Sequence, residues 1–140
     1  YRELDFWVGE WEVRSPDGTV QGTSSIAPIM EGCAIQEEWS SSRIRGRSIS
    51  TYNKPEGRWE QLWVDNFGVL LHQTGGWTGS AFRWRAERRG SDGKVRQLRV
   101  TLTPMEGGIV RQVQERSEDG GVTWSVIFDG RYRPVETTGR

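Results

Sequence analysis

Apolar and polar residues alternate in short runs along this chain, and the runs stop at clusters of glycine. Trp59, Gln61, Trp63 and Asp65 fall on one face of such a run while Glu60, Leu62 and Val64 fall on the other, the period of two that belongs to an extended strand. Pro16-Asp17-Gly18, Pro55-Glu56-Gly57, Ser91-Asp92-Gly93, Glu106-Gly107-Gly108 and Asp119-Gly120-Gly121 each supply a residue suited to the positive φ of a tight hairpin. Reading outward from these turns predicts ten strands, near 8–14, 19–27, 33–41, 45–53, 58–65, 69–75, 77–87, 95–103, 109–117 and 123–132. No segment keeps a helical period, although residues 1–7 leave room for one turn capping an open end. Ten antiparallel strands in a flat sheet would leave two exposed edges, and closure removes both. The expectation is therefore an all-β chain, folded as a single up-and-down antiparallel β-barrel of about ten strands over residues 1–135, with a polar tail at 136–140. A barrel of that strand number encloses more space than its own side chains fill, so it should hold a cavity. A two-sheet sandwich with a solid core is the alternative.

Hairpin register carries the inside set from strand to strand. If Tyr52 pairs with Trp59, then Ser48, Ser50 and Tyr52 join the Trp59 face. A two-residue turn at Asn66-Phe67 would pair Asp65 with Gly68 and extend that face through Leu70, His72 and Thr74, placing His72 beside Gln61. A simple turn at Gly75-Gly76 would then send Arg83 and Arg85 inward and leave Phe82 and Trp84 in water, an arrangement against ordinary burial preferences. Either a bulge within residues 75–79 resets the alternation, or His72 faces solvent; the inward His72 is the expectation. Near the end of the chain Trp124, Val126, Phe128, Gly130 and Tyr132 form an apolar face. A hairpin about Asp119-Gly120 would align it with Arg111, Val113 and Glu115, making Arg111 and Glu115 a polar pair inside an apolar wall.

Composition sharpens this picture at one point: eight of the 140 residues are tryptophan. Indole is large and carries one N–H donor, so a barrel this rich in it either fills its core or lines a hollow where flat ligands stack. The 19 basic and 19 acidic residues leave no net charge, which argues against nucleic acid and anionic membranes as partners. No apolar run approaches the roughly 20 residues of a membrane-crossing helix. A lone cysteine, Cys33, and a lone histidine, His72, exclude an internal disulfide and a multi-histidine metal site; Cys33 is expected to pack as a small buried hydrophobe. No cofactor or metal is called for. The chain starts at Tyr1 without methionine, so removal of a leader is left open and the cytoplasm is the compartment favoured.

Gly9-Glu10-Trp11 on the first strand, with Arg131 and Arg133 on the last, resembles the lipocalin and calycin signature, in which a first-strand Gly-x-Trp packs near a late arginine. The segments Asp5-Phe6-Trp7-Val8-Gly9-Glu10-Trp11, Glu31-Gly32, Trp59-Glu60-Gln61-Leu62-Trp63-Val64-Asp65 with Gly68, and Ser117 to Trp124 together resemble a group of uncharacterised bacterial lipocalin-like barrels. The resemblance spans about residues 4 to 133 and implies a barrel, with no activity to carry over. More distantly the chain is similar to nitrobindin and fatty-acid-binding barrels. Nitrobindins place a haem-ligating histidine late in the chain, where this sequence has none. Ser117-x-Asp119-x-Gly121-x-Thr123-Trp124 also matches the Asp-box of sialidase propellers, a hairpin staple rather than an active site.

These readings lead to a small-molecule binding barrel for a flat, partly apolar ligand. Trp39, Tyr52, Trp59, Trp63, Trp84 and Phe128 are the candidate stacking residues, and Gln61, His72, Arg111 and Glu115 the polar groups that fix orientation. One alternative is a lyase, isomerase or cyclase on the same barrel, using His72 or a buried carboxylate as proton shuttle; it would require a cavity carboxylate with an elevated pKa. Others are haem or nitric-oxide binding, and a purely structural or dimerising domain. The expected state is monomer or homodimer.

Overall fold

The computed structural model describes residues 2–135, so Tyr1 and the polar tail expected at 136–140 lie outside the described residues. Ten strands follow one another: β1 Gly9–Arg14, β2 Val20–Ile29, β3 Ala34–Ser40, β4 Arg45–Asn53, β5 Arg58–Asp65, β6 Leu70–Trp77, β7 Phe82–Arg89, β8 Val95–Pro104, β9 Val110–Ser117 and β10 Ser125–Pro134. Each pairs antiparallel with its sequence neighbours, and β1 pairs with β10 to close the ring. The protein is a closed, lipocalin/calycin-like up-and-down barrel. Closure gives every strand two partners and abolishes the edge problem that a flat meander would have.

One end of the barrel is plugged. A 3-10 turn at Asp5–Trp7 lays the fully buried Leu4 and Trp7 onto Ile26, Ile35, Trp59, Phe82 and Leu102. Aromatic rings there meet mostly edge to face, which suits their quadrupoles: Tyr52 on Trp59 at 5.8 Å, Trp59 on Phe82 at 5.7 Å and Trp11 on Tyr132 at 5.9 Å. The Trp11 indole N–H donates to the Trp7 carbonyl at 2.9 Å, tying β1 to the plug. The late arginines do not take the place beside Trp11 that the lipocalin signature suggests. Tyr132 is buried between them, so alternation turns Arg131 and Arg133 to the outer face.

Three local features differ from the sequence reading. The β5–β6 connection is longer than a two-residue turn: Asp65 N–H donates to the Val69 carbonyl at 3.3 Å, and Val64 pairs with Leu70. The Asp65 carboxylate accepts from the N–H groups of Phe67 and Val69, an Asx-type turn that shifts the register by one and puts Leu71 and Gln73, not Leu70 and His72, on the inner face. The next turn lies at Thr78–Ala81, where Thr78 N–H donates to the Ala81 carbonyl at 2.7 Å, so Gly75 and Gly76 are strand residues. Gly75 stands opposite Trp59 on one side and Trp84 on the other, and its missing side chain leaves room for the backbone of Arg83 and Trp84. Phe82 and Trp84 are inside without any bulge. On β10 a bulge does occur, between Val126 and Phe128. It leaves Val126 exposed and aligns Phe128, Gly130 and Tyr132 with Gln114, Gln112 and Val110. Cys33 is exposed, since it follows a turn in which Met30 and Glu31 take positive φ.

Candidate functional site

Above the aromatic plug the barrel is hollow. A cavity of about 880 Å³ opens at the end formed by the β5–β6, β7–β8 and β9–β10 connections, within the range of small-molecule sites. Trp39, Trp63, Trp84 and Phe128 supply aromatic wall, and Leu71, Leu98 and Val100 aliphatic wall. A second concavity of about 820 Å³ is more open and runs over the outer side of β1–β5. It is lined largely by outward-facing residues such as Glu10, Thr23, Glu38 and Arg47. Polar groups converge in the interior, which makes it the candidate site.

The indoles fit because glycine faces them. A Cβ on Gly46 would lie 2.2 Å from the Trp63 ring, and one on Gly22 would lie 2.8 Å from the Trp39 ring. Both rings therefore occupy space along the wall that any larger residue at the glycine would fill. Trp63 is fixed further by its indole N–H, which donates to the Asp65 carboxylate at 3.0 Å.

Three polar elements are carried by residues that line the hollow. Glu37 on β3 is buried; its two carboxylate oxygens accept from the Ser48 hydroxyl at 3.0 Å and the Ser24 hydroxyl at 3.2 Å. Burial pushes its pKa up to about 7, the two serine hydrogen bonds opposing, because a charge removed from water is costly unless fully compensated. The Tyr132 phenol, which lines the same hollow, is raised well above its ordinary value, by burial and then by the Glu37 charge. Next comes an amide chain: the Gln73 amide donates to the Gln61 carbonyl oxygen at 2.8 Å, and the Gln61 amide donates to the Ser50 hydroxyl at 3.0 Å. That chain ends in the Gln73 side-chain oxygen, buried and without a hydrogen-bond partner. Finally, the Trp7 and Trp84 indole N–H groups are buried and equally unpartnered, and both residues line the cavity. Leaving a polar atom in that state costs about 1–3 kcal/mol.

The wall gathers some of the candidate residues and separates others. Trp39, Gln61, Trp63, Trp84 and Phe128 line the hollow. Trp59 and Tyr52 face inward but belong to the plug, the Trp59 indole N–H donating to the Glu3 carboxylate at 3.1 Å. His72 faces outward: it pairs across the wall with Leu62, is exposed, and its Nε2 lies 2.7 Å from the Glu60 carboxylate. The one-residue shift in β6 is the cause. Arg111 and Glu115 do not form a pair. The β10 bulge makes Gln112 and Gln114 the inner residues, and Arg111 chelates Asp129 while Glu115 chelates Arg99. Glu115 borders the cavity, but its carboxylate is committed to Arg99, which holds it below the usual carboxylate range. Trp124 packs over that same Arg99 at 4.0 Å, on the outer side.

Glu37, Trp7, Gln73 and Tyr132 are the site residues the sequence reading left out. Glu37 alternates in phase with Ile35 and Trp39, and that was the available signal: a carboxylate between two large apolar residues on one strand face. At the mouth Arg88 and Arg116 border the opening and are exposed, while Arg96 is held by Asp92 at 2.8 Å and Glu118 at 3.1 Å. Among the described residues no cluster of three His, Cys, Asp or Glu side chains is arranged to hold a metal ion. No protein-family profile matches the sequence, and a search of curated proteins finds no match.

Proposed function

We propose that this barrel binds a small, flat, partly apolar molecule in its interior. The observation that carries the reading is the 880 Å³ hollow whose wall combines indole faces with three buried, unpartnered polar atoms. A domain that needed only stability would gain by filling that space or pairing those atoms. A ligand presenting acceptors to the Trp7 and Trp84 N–H groups and a donor to Gln73 would recover the desolvation cost at each. Haem ligation through histidine loses its support, since His72 points away from the hollow.

Titration of the purified protein with polycyclic aromatic, terpenoid and fatty-acid probes is the test. Saturable quenching of tryptophan fluorescence is expected for flat ligands carrying a carbonyl or hydroxyl group. Gln114→Trp, which adds an indole to the wall of the hollow, should abolish the quenching while the far-ultraviolet circular dichroism stays that of a barrel. Equal binding by this variant would place the ligand elsewhere and end the proposal.

A further inference from the structure

The cavity wall holds a combination that simple storage of a ligand does not require: a buried carboxylate, and buried, unpartnered N–H donors on residues that line the same space. Glu37 is fixed by two hydroxyls, from Ser48 on β4 and Ser24 on β2. Tyr132 on β10 packs on Trp39, the next inward residue of the Glu37 strand, with ring centroids 6.4 Å apart, and Trp7 packs on Tyr132 at the same separation. Glu37, Tyr132 and the two indole donors of Trp7 and Trp84 thus belong to the wall of one cavity. A carbonyl oxygen held by an indole N–H needs its α-carbon turned toward a base to react, and Glu37 is the buried one among the carboxylates that line this cavity.

We propose that Glu37 is a general base and acid that shifts a proton within an enolisable carbonyl compound, the substrate class being a flat cyclic ketone with an acidic α-C–H, in particular a β,γ-unsaturated one. The inference rests on the binding reading above. Glu37 takes the α-proton, and the C–H pair becomes a new carbon–carbon π bond. The carbonyl π pair moves onto oxygen, where the Trp7 or Trp84 N–H stabilises the enolate. Return of the proton from Glu37 to the γ-carbon gives the conjugated isomer, and return to the α-carbon gives exchange without net change. No oxidant, reductant or second substrate is consumed.

The surroundings suit the base. β2 presents Ser24 and Ile26 beside Glu37, β4 presents Ser48 and Ser50, and β10 presents Tyr132, whose phenol stays neutral throughout the working range. None of these five side chains carries a charge there. The elevated pKa of Glu37, about 7, puts a competent base and its conjugate acid together near neutrality. The rate should therefore rise with pH through about 7 and level off.

The probe is 2-tetralone, a flat aromatic ketone, incubated with the protein in deuterium oxide. Exchange at the α-carbon is followed by proton NMR, and binding by tryptophan quenching. The wild type is expected to exchange bound ketone at least about 100-fold faster than Glu37→Gln, with the two proteins binding it equally. Ser48→Ala, which removes one hydrogen bond to the carboxylate, should move the midpoint of the pH profile upward, a readout that a merely structural role for Glu37 would not shift. Binding with exchange at the buffer rate would overturn the catalytic inference alone. Exchange by Glu37→Gln at the wild-type rate, or an unshifted profile in Ser48→Ala, would do the same. Absence of any quenching by the ketone would overturn this inference and count against the binding reading as well.

Discussion

Glu37 ties local chemistry to global stability, because its proton is held in the folded chain at a pH where the unfolded chain has lost it. The carboxyl titrates near 7 when buried, against an ordinary value of 4.5. Below about pH 4.5 both states are protonated and the contribution of the neutral, hydrogen-bonded carboxyl is complete. As pH rises the unfolded state ionises first, so stability falls, and the contribution is lost once pH passes about 7. A difference of that size corresponds to about 3 kcal/mol. Glu37→Gln keeps the shape and the serine partners without the charge. Its melting temperature should exceed that of the wild type by roughly 5–10 °C at pH 8 and match it near pH 4. Coincident melting curves at pH 8 would mean that the ionised carboxylate is accommodated without cost, and the burial argument would fail.

At the scale of strands, indoles opposite glycines explain how a wall so rich in tryptophan still encloses space. Gly46 beneath Trp63 is the clearest case, while Gly75 is fixed by backbone instead, since a Cβ there would lie 2.0 Å from the Arg83 carbonyl oxygen, an atom that has no room to retreat. Gly75→Ala should cost about 2–3 kcal/mol, whereas Gly76→Ala, with nothing within 4 Å of its Cβ, should change urea stability by less than about 0.5 kcal/mol. Similar losses in both would show that strand flexibility, not close approach, fixes these glycines. The same strands show what the sequence made legible. Tyr52 opposite Trp59 follows from the length of the Asn53–Arg58 connection, and the Ser48, Ser50, Gln61 and Trp63 face follows from Tyr52. One residue more in the next turn flips everything beyond it, which is why His72 was expected inside. Asp65-Asn66-Phe67-Gly68 contained the clue, an Asp able to cap two backbone N–H groups. The β10 bulge had none, because Val126-Ile127-Phe128 is apolar on every position and alternation gives no phase. The Asp-box hairpin, by contrast, forms as its residue types require: Asp119 accepts from the N–H groups of Val122 and Thr123, and Gly121 N–H donates to the Ser117 hydroxyl at 2.8 Å.

Over the whole molecule the two ends of the barrel differ, one packed solid and the other hollow, and the proposed binding role assigns stability to the first and the ligand to the second. The plugged end owes its density to the 3-10 turn at Asp5–Trp7, which drives Leu4 to complete burial and seals the bore with Trp7. The open end carries half-buried rings, exposed guanidinium groups and the cavity. Outer-wall ion pairs such as Arg99 with Glu115 and Arg111 with Asp129 add little per pair, since water and salt screen them, so the plug dominates. Two substitutions separate the ends. Leu4→Ala removes a buried side chain that does not line the hollow, and should cost about 2–5 kcal/mol while leaving ligand affinity in the surviving folded protein unchanged. Trp63→Ala removes a ring that packs on Gly46 and lines the cavity. It should cost less stability than the loss of a fully buried indole, because one face already meets the hollow, yet it should weaken binding of an aromatic probe by about tenfold or more, the worth of one stacked ring pair. Denaturant titration with and without the probe measures both quantities in one experiment. If Leu4→Ala weakens binding as much as Trp63→Ala does, the plug and the cavity are one cooperative unit, and the division of labour between the ends is wrong.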